Sequence, residues 1–293
     1  MEKISVRVPA TTANLGVGFD TLGCALALYN TLSFSPAASL CFSGCDEQYQ
    51  TEDNLAYQGF KALYEHMGQP VPGVAIHISA QIPVCRGLGS SAAMIAAGAL
   101  AANQMGRFGL NRDELLSIVT PIEGHPDNLA PALFGGLTAS MSLGSSVHTV
   151  SYPLHPELRF VLMSPDFPLS THAARSVLPQ SIPFSTAVSQ LGRLALLPKA
   201  LETGDEALIA HCLKDAFHQP YRFPLIDESA KLQALAHELG CDAFCISGAG
   251  PTLLCISRDA TLAEKLSGAA AACLKHNWEI KELAIDHSGA MCL

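Results

Sequence analysis

Two short stretches of this sequence concentrate the residues that can do chemistry. EGHPDN places Glu123, His125 and Asp127 within five consecutive positions. Carboxylates combined with a hydroxyl and phosphate oxygens form the hard oxygen set that Mg²⁺ prefers. PVCRGLGSSAA (Pro83, Val84, Cys85, Arg86, Gly87, Leu88, Gly89, Ser90, Ser91, Ala92, Ala93) runs into a long alanine-rich segment with high helix propensity. Its glycines permit a tight turn and close approach to a ligand, and Ser90 or Ser91 is a candidate cap for the helix. The unpaired N–H groups and positive dipole end at such a helix start form an anion site, and phosphate is the commonest occupant. The expected chemistry is phosphoryl transfer from ATP, with Glu123 and a serine hydroxyl of the cradle on Mg²⁺. Purely local structure would also explain both stretches, as a serine-capped turn and as Glu123 ending one helix with Asp127 capping the next.

Other nucleotide signatures fit less well. No lysine follows Gly89, so the G-x-x-x-x-G-K-[ST] loop is absent. Ala92 stands where G-x-G-x-x-G needs its third glycine, and the loop lies well inside the chain rather than on a first strand. The formal charge of −9 and the lack of a Lys/Arg cluster argue against nucleic acid, although small anions remain compatible with it. No apolar run is long enough to span a bilayer, and MEKISVRVPA lacks the apolar core of a signal peptide. Ten cysteines on largely apolar stretches of a 293-residue chain read as buried reduced thiols. Cys41/Cys45 and Cys241/Cys245 are both C-x-x-x-C, whereas a zinc pair usually shows tighter spacing and a second partnered pair, so zinc is not the expected reading. The expected compartment is the cytoplasm.

The elements that must position these residues follow from periodicity. Ile4, Val6 and Val8 alternate with polar neighbours and predict a first strand ended by Pro9. ATTANLGVGFDTLG, with Asn14, Gly16, Gly18, Asp20 and Gly23, predicts close backbone packing against a strand or a ligand. GVAIHISAQI predicts the strand entering the glycine loop. T-E-D-N before Leu55 and Asn111 before Leu115 predict helix entries, and GGLTASMSL with SVHTVSYPL predicts a hairpin around Gly144. The boundary falls near Pro153–Pro156, giving domains 1–153 and 154–293. RFVLMSP predicts a buried strand and STHAARSVLP a capped short helix. Residues 183–240 predict several helices broken at HQPYRFPL, and the end reads strand, turn, strand, helix, strand. That order is α+β.

SGAGPT (Ser247 to Thr252) adds a second glycine turn, and Arg175 and Arg222 stand isolated in a chain poor in arginine, where a guanidinium fork suits a carboxylate. PATTANLGVGFD, PVCRGLGSSAA and SGAGPT, in that order across the whole chain, resemble the three motifs of the GHMP kinases. Within that superfamily, ANLGVGFD, EGHPDNLAPALFGG, STHAAR and HQPYRFPLI most resemble the bacterial homoserine kinases. The resemblance implies an N-terminal domain like ribosomal protein S5 domain 2 and a ferredoxin-like C-terminal domain. It implies ATP-dependent phosphorylation of L-homoserine to O-phospho-L-homoserine in threonine biosynthesis, and a homodimer. It places residues Pro83–Ala93 on ATP, Asn54 at the adenine, and Ser91 and Glu123 on Mg²⁺. Asn14 and Asp20 would face the amino acid, with Asn14 near the attacking hydroxyl. His125, Asp127 and Asn128 would complete the pocket, Arg175 and Arg222 would hold the carboxylate, and Gly248 and Gly250 would lie beside the substrate. No general base is required by the resemblance; Asp20 and Asp127 are the candidates.

Overall fold

The first strand sets the frame. The protein, seen in a computed structural model that describes residues 2–293, begins with β1 (Ile4–Ala13), whose Val6 and Val8 are wholly buried. The strand does not stop at Pro9 as expected: it continues through a register shift between Pro9 and Ala10. An irregularity of this kind is where a strand tolerates a residue without an N–H. The chain then runs through β2 (Leu22–Pro36), β3 (Cys41–Ser43), α1 (Leu55–His66), β4 (Val74–Ser79), α2 (Ser90–Gly106), α3 (Arg112–Glu123) and α4 (Leu129–Phe134) to the hairpin β5 (Leu137–Leu143) and β6 (Ser146–Tyr152). The second half holds β7 (Arg159–Pro165), α5 (Thr171–Ser176), α6 (Phe184–Thr203), α7 (Glu206–Cys212), α8 (Gln219–Arg222), α9 (Ser229–Glu238), β8 (Phe244–Ile246), β9 (Leu253–Ser257), α10 (Leu262–Cys273), β10 (Trp278–Leu283) and β11 (Met291–Cys292).

Two sheets result. The first has the order β11-β1-β2-β4-β3, with β5 on β2 and β6 on β5. The second has the order β10-β7-β9-β8 with every pairing antiparallel. Numbered within its own half, the second order is 4-1-3-2, the ferredoxin-like arrangement, and the whole is α+β as expected. One feature departs from a simple division of the chain at residue 153. The last residues leave the second half and return to the first sheet, where Val6 pairs with Cys292 and Leu26 bridges to Ile285.

Capping decides where the helices that carry the site begin. Asn111 makes a full capping box with Glu114 at the start of α3, and Asn54 accepts from the Ala56 amide at the start of α1. The helix after the glycine loop differs from expectation. Its cap is Gly89 in the left-handed conformation (φ 66°), and neither Ser90 nor Ser91 makes a capping bond. α2 is apolar almost all round and buried, as a helix of that composition must be. It lies against α1 at backbone distance, because a Cβ on Gly98 would stand 1.9 Å from the Ala56 carbonyl oxygen. Among the described residues no helix is long and apolar enough to cross a membrane.

The contact at Gly98 gives a test. Gly98→Ala improves intrinsic helix propensity by about 1 kcal/mol, but the added methyl meets main chain that cannot rotate away. Overpacking of this kind costs about 1–3 kcal/mol, so the urea midpoint of the variant falls rather than rises.

Candidate active site

The glycine loop between β4 and α2 is fixed by its carbonyls. The carbonyl of Cys85 accepts from the Leu169 amide, that of Arg86 from the Thr252 amide, that of Gly87 from the Ser247 hydroxyl and that of Leu88 from the Thr11 amide. In a planar trans peptide the N–H points opposite to the preceding C=O. Pinning these four carbonyls therefore turns the next amides away from the protein. No amide from Gly87 to Ala92 has an acceptor among the described residues, so a row of donors stands free at the start of α2. Gly87 and Gly89 are needed here: both have positive φ, and a Cβ would meet the Ser247 carbonyl at 2.3 Å and the Thr11 hydroxyl at 1.9 Å, respectively.

These donors open into a cavity of about 630 Å³ that also contains the polar cluster. The Ser91 hydroxyl donates to the Glu123 carboxylate. His125 Nδ1 lies 2.6 Å from Asp127 Oδ1, and Asn128 Nδ2 donates to the same oxygen at 3.4 Å. Asn128 Oδ1 accepts from Thr11 at 2.7 Å, which ties the cluster to β1. Ligand atoms of Asp20, His125 and Asp127 all lie within 4.8 Å of one another. Across from them Arg175 grips Asp20 with both ends of its fork, at 2.6 and 3.1 Å. Arg222, only 1% exposed, donates to the carbonyls of Ala174 and Gly248. Asn14 joins these parts, donating to the Gly248 carbonyl at 2.7 Å and accepting from the Asp20 amide at 2.9 Å.

The chain as a whole has counterparts among known proteins. The family models "GHMP kinases N terminal domain" and "GHMP kinases C terminal" match residues 54–136 and 197–276. A homoserine kinase of Clostridium botulinum is 40% identical over 291 residues, covering 98% of both chains. Another, from Trichodesmium erythraeum, is 43% identical over 270 residues, covering 89% of this chain and 88% of that one. The chain belongs to the homoserine kinase family. Its fold matches the crystal structure of homoserine kinase from Cytophaga hutchinsonii with a TM-score of 0.89 at 27% identity, covering 100% of this chain and 98% of that one. The mevalonate kinase of L. major has the same fold, with a TM-score of 0.71 at 12% identity over 97% of this chain and 96% of that one.

Of the residues that sequence reasoning singled out on homoserine kinase lines, the cavity lining contains Asn14, Asp20, Asn54, Glu123, His125, Asp127, Asn128, Arg175, Arg222 and Gly248, together with Pro83 through Ser91. Three others stand back from it. Ala92 and Ala93 are fully buried in the core, so any part they play is through the backbone. Gly250 does not line the cavity, and a Cβ there would press on Ile226 at 2.9 Å. Arg86 is occupied elsewhere, donating to the carbonyls of Pro165 and Asp166 and so locking the loop to the end of β7.

The sequence reading passed over the wall opposite the loop. Tyr49, Leu55, Ile78 and Met94 line the cavity beside Asn54 and supply apolar surface for a flat ring. Their signal was weak: a turn-rich stretch around one tyrosine, between a short strand and a helix. Thr171 and His218 were missed as well. Thr171 lines the cavity, while His218 lies behind it in contact with Arg222.

Burial disturbs the charges here. It raises the pKa of Glu123, an effect that the Ser91 hydrogen bond and the His125 charge only partly offset. Burial pulls His125 down, but the hydrogen bond and charge of Asp127 leave it above its ordinary value. Arg222 is lowered to about 10, by desolvation first and by the nearby Arg175 charge second. For Glu123 the consequence is a stability cost. Its folded pKa is raised, so the cost is present when the group is ionised in both states and vanishes below the unfolded value of about 4.3. Glu123→Gln therefore melts above the parent protein at pH 7, and thermal unfolding followed toward pH 4 finds the gap closing.

Proposed function

We propose that this chain transfers the γ-phosphoryl group of ATP to the side-chain hydroxyl of L-homoserine, forming O-phospho-L-homoserine on the route to threonine. One observation carries the reading: a single cavity joins a row of unpaired backbone amides to a cluster that holds Arg175, Arg222, Asp20, Glu123 and Asp127. The amides suit a polyphosphate, and the cluster suits a zwitterionic amino acid.

In this reading the loop from Pro83 to Ser91 and the start of α2 take the phosphates, and the wall of Tyr49, Ile78, Val84, Met94 and Asn54 takes the base. Ser91 and Glu123 fit Mg²⁺, being a hydroxyl and a half-buried carboxylate already in contact beside the loop. A cation held there would neutralise charge on the transferred phosphoryl group. Asp20 and Arg175 satisfy one another in the structure. A bound amino acid replaces that contact, its carboxylate entering the forks of Arg175 and Arg222 and its ammonium meeting Asp20 and Asp127. Asn14 keeps Asp20 and Gly248 in register beside the hydroxyl, and Asn128 with His125 sets the orientation of Asp127. Holding the hydroxyl in line with the γ-phosphorus supplies much of the rate by positioning, while the amides stabilise the charge that develops. The bond from the hydroxyl oxygen to phosphorus forms as the bond to ADP breaks, and the hydroxyl proton is released.

All ten cysteines are unpaired, which accords with a reducing cytoplasm, but only five are buried, since Cys41, Cys85, Cys273 and Cys292 are exposed and Cys45 is half-buried. The exposed, uncharged side chains Phe184, Val188 and Leu191 on α6 offer a face for a second copy in a homodimer.

Purified protein given ATP, Mg²⁺ and a panel of L-homoserine, D-mevalonate and galactose releases ADP with homoserine in clear preference. Turnover on another alcohol with none on homoserine would refute the assignment. Arg175→Ala removes a charge-assisted contact worth about 1.5–3 kcal/mol, so the KM for homoserine rises roughly 10- to 100-fold while the KM for ATP stays near its original value.

A further inference from the structure

His218 makes a pair of contacts that leave it a single chemical form. The ring is fully buried, with Nε2 2.9 Å from the Gly16 carbonyl oxygen and Nδ1 3.3 Å from Arg222 Nη1. A carbonyl only accepts and a guanidinium only donates. Nε2 must therefore carry the proton and Nδ1 the lone pair. We infer that His218 is a positioning residue for the phosphoryl acceptor, its neutral Nε2–H ring aiming the guanidinium of Arg222 at the substrate carboxylate. This rests on the reading of Arg222 given above.

The surroundings favour that form. Asp215 Oδ2 stands 3.6 Å from Nε2, but Asp215 is already committed, taking the amides of Phe217, His218 and Gln219. Asp215 reaches the ring from the turn before α8, Arg222 from α8 itself, and Asp20 from the loop after β1. The Phe19 ring lies 5.2 Å away, centroid to centroid, and the Arg222 guanidinium carbon lies over that same ring, 5.2 Å from its centroid. Burial lowers the pKa of His218, Asp215 raises it and Arg222 lowers it again, leaving it below the ordinary value. A second proton would put two donors face to face at Nδ1 and repel Arg222.

For Arg222, the ring decides where the fork points. Nε is held by Ala174 and Nη1 by Gly248 and His218, while Nη2 has no acceptor among the described residues. Gly248 is itself shared with Asn14, so its 3.3 Å contact with Nη1 does not fix the fork alone, and the His218 contact of the same length adds a second anchor. Paired recognition of a carboxylate needs a fork already fixed in plane. His218 supplies that constraint from outside the cavity.

Two substitutions separate the contacts. His218→Asn keeps an acceptor near the place of Nδ1 and loses the donor to Gly16; His218→Gln keeps a donor near Nε2 and loses the acceptor. The inference expects His218→Gln to raise the KM for homoserine about tenfold with the KM for ATP and kcat within about twofold, and His218→Asn to do so clearly less. In an Arg222→Met background, His218→Gln adds nothing further to the homoserine KM. Equal rises for both substrates, no rise for His218→Gln, or a full effect persisting in the Arg222→Met background would each overturn it. If Arg222→Met itself leaves the homoserine KM unchanged, the carboxylate reading of Arg222 fails and this inference falls with it. Nitrogen-15 NMR of the unaltered protein at pH 6 needs no variant to fold: it finds His218 neutral and protonated on Nε2, and an imidazolium or an Nδ1–H ring would overturn the inference.

Discussion

Four successive carbonyl groups, from Cys85 to Leu88, are each held by a donor elsewhere in the fold, and the row of free amides at the start of α2 depends on that restraint. Peptide planarity converts it into a direction for the amides that follow. Three of the four donors, on Leu169, Ser247 and Thr252, come from the second half of the chain, and the fourth comes from β1. The cradle is therefore a property of both sheets docked together. The glycine sequence permits the loop shape, and docking selects it.

The second constraint is charge. A chain with formal charge −9 gathers two of its few arginines at one cavity and buries one of them almost completely. Burying a guanidinium is costly unless its donors are met. Main-chain carbonyls and a neutral histidine meet those on Nε and Nη1, rather than a carboxylate that would neutralise the charge. Arg222 thus keeps its positive charge available to a ligand. Arg175 takes the other course and pairs with Asp20, so the two arginines that sequence alone treats alike enter the site in different states.

The same junction stores conformational strain. Asn14, Leu15, Asp20 and Cys85 all have positive φ, which residues with side chains adopt at a cost. The contacts of Asn14 with Asp20 and Gly248 help hold this shape. Glu123 adds a cost of another kind, since burial raises its pKa and opposes its ionisation.

What was legible in the sequence was local or motif-borne. The order strand, glycine loop, helix, the cap at Asn111, the hairpin around Gly144 and the three family motifs depend on neighbours within a few positions, and the structure bears out those elements. Tertiary structure alone decided the rest. It placed the cap of α2 on Gly89, because the left-handed turn brings that residue against Thr11. It carried the chain end back to β1, and it joined Arg175 to Asp20 across 155 positions. It made His218 a partner of Arg222 and Gly16, which a helical spacing of four could suggest for the first and nothing could suggest for the second. The reason is physical: local propensity and spacing specify backbone shape over a turn or two, whereas the partner of a buried polar group is set by whatever donor or acceptor the packed core leaves within reach.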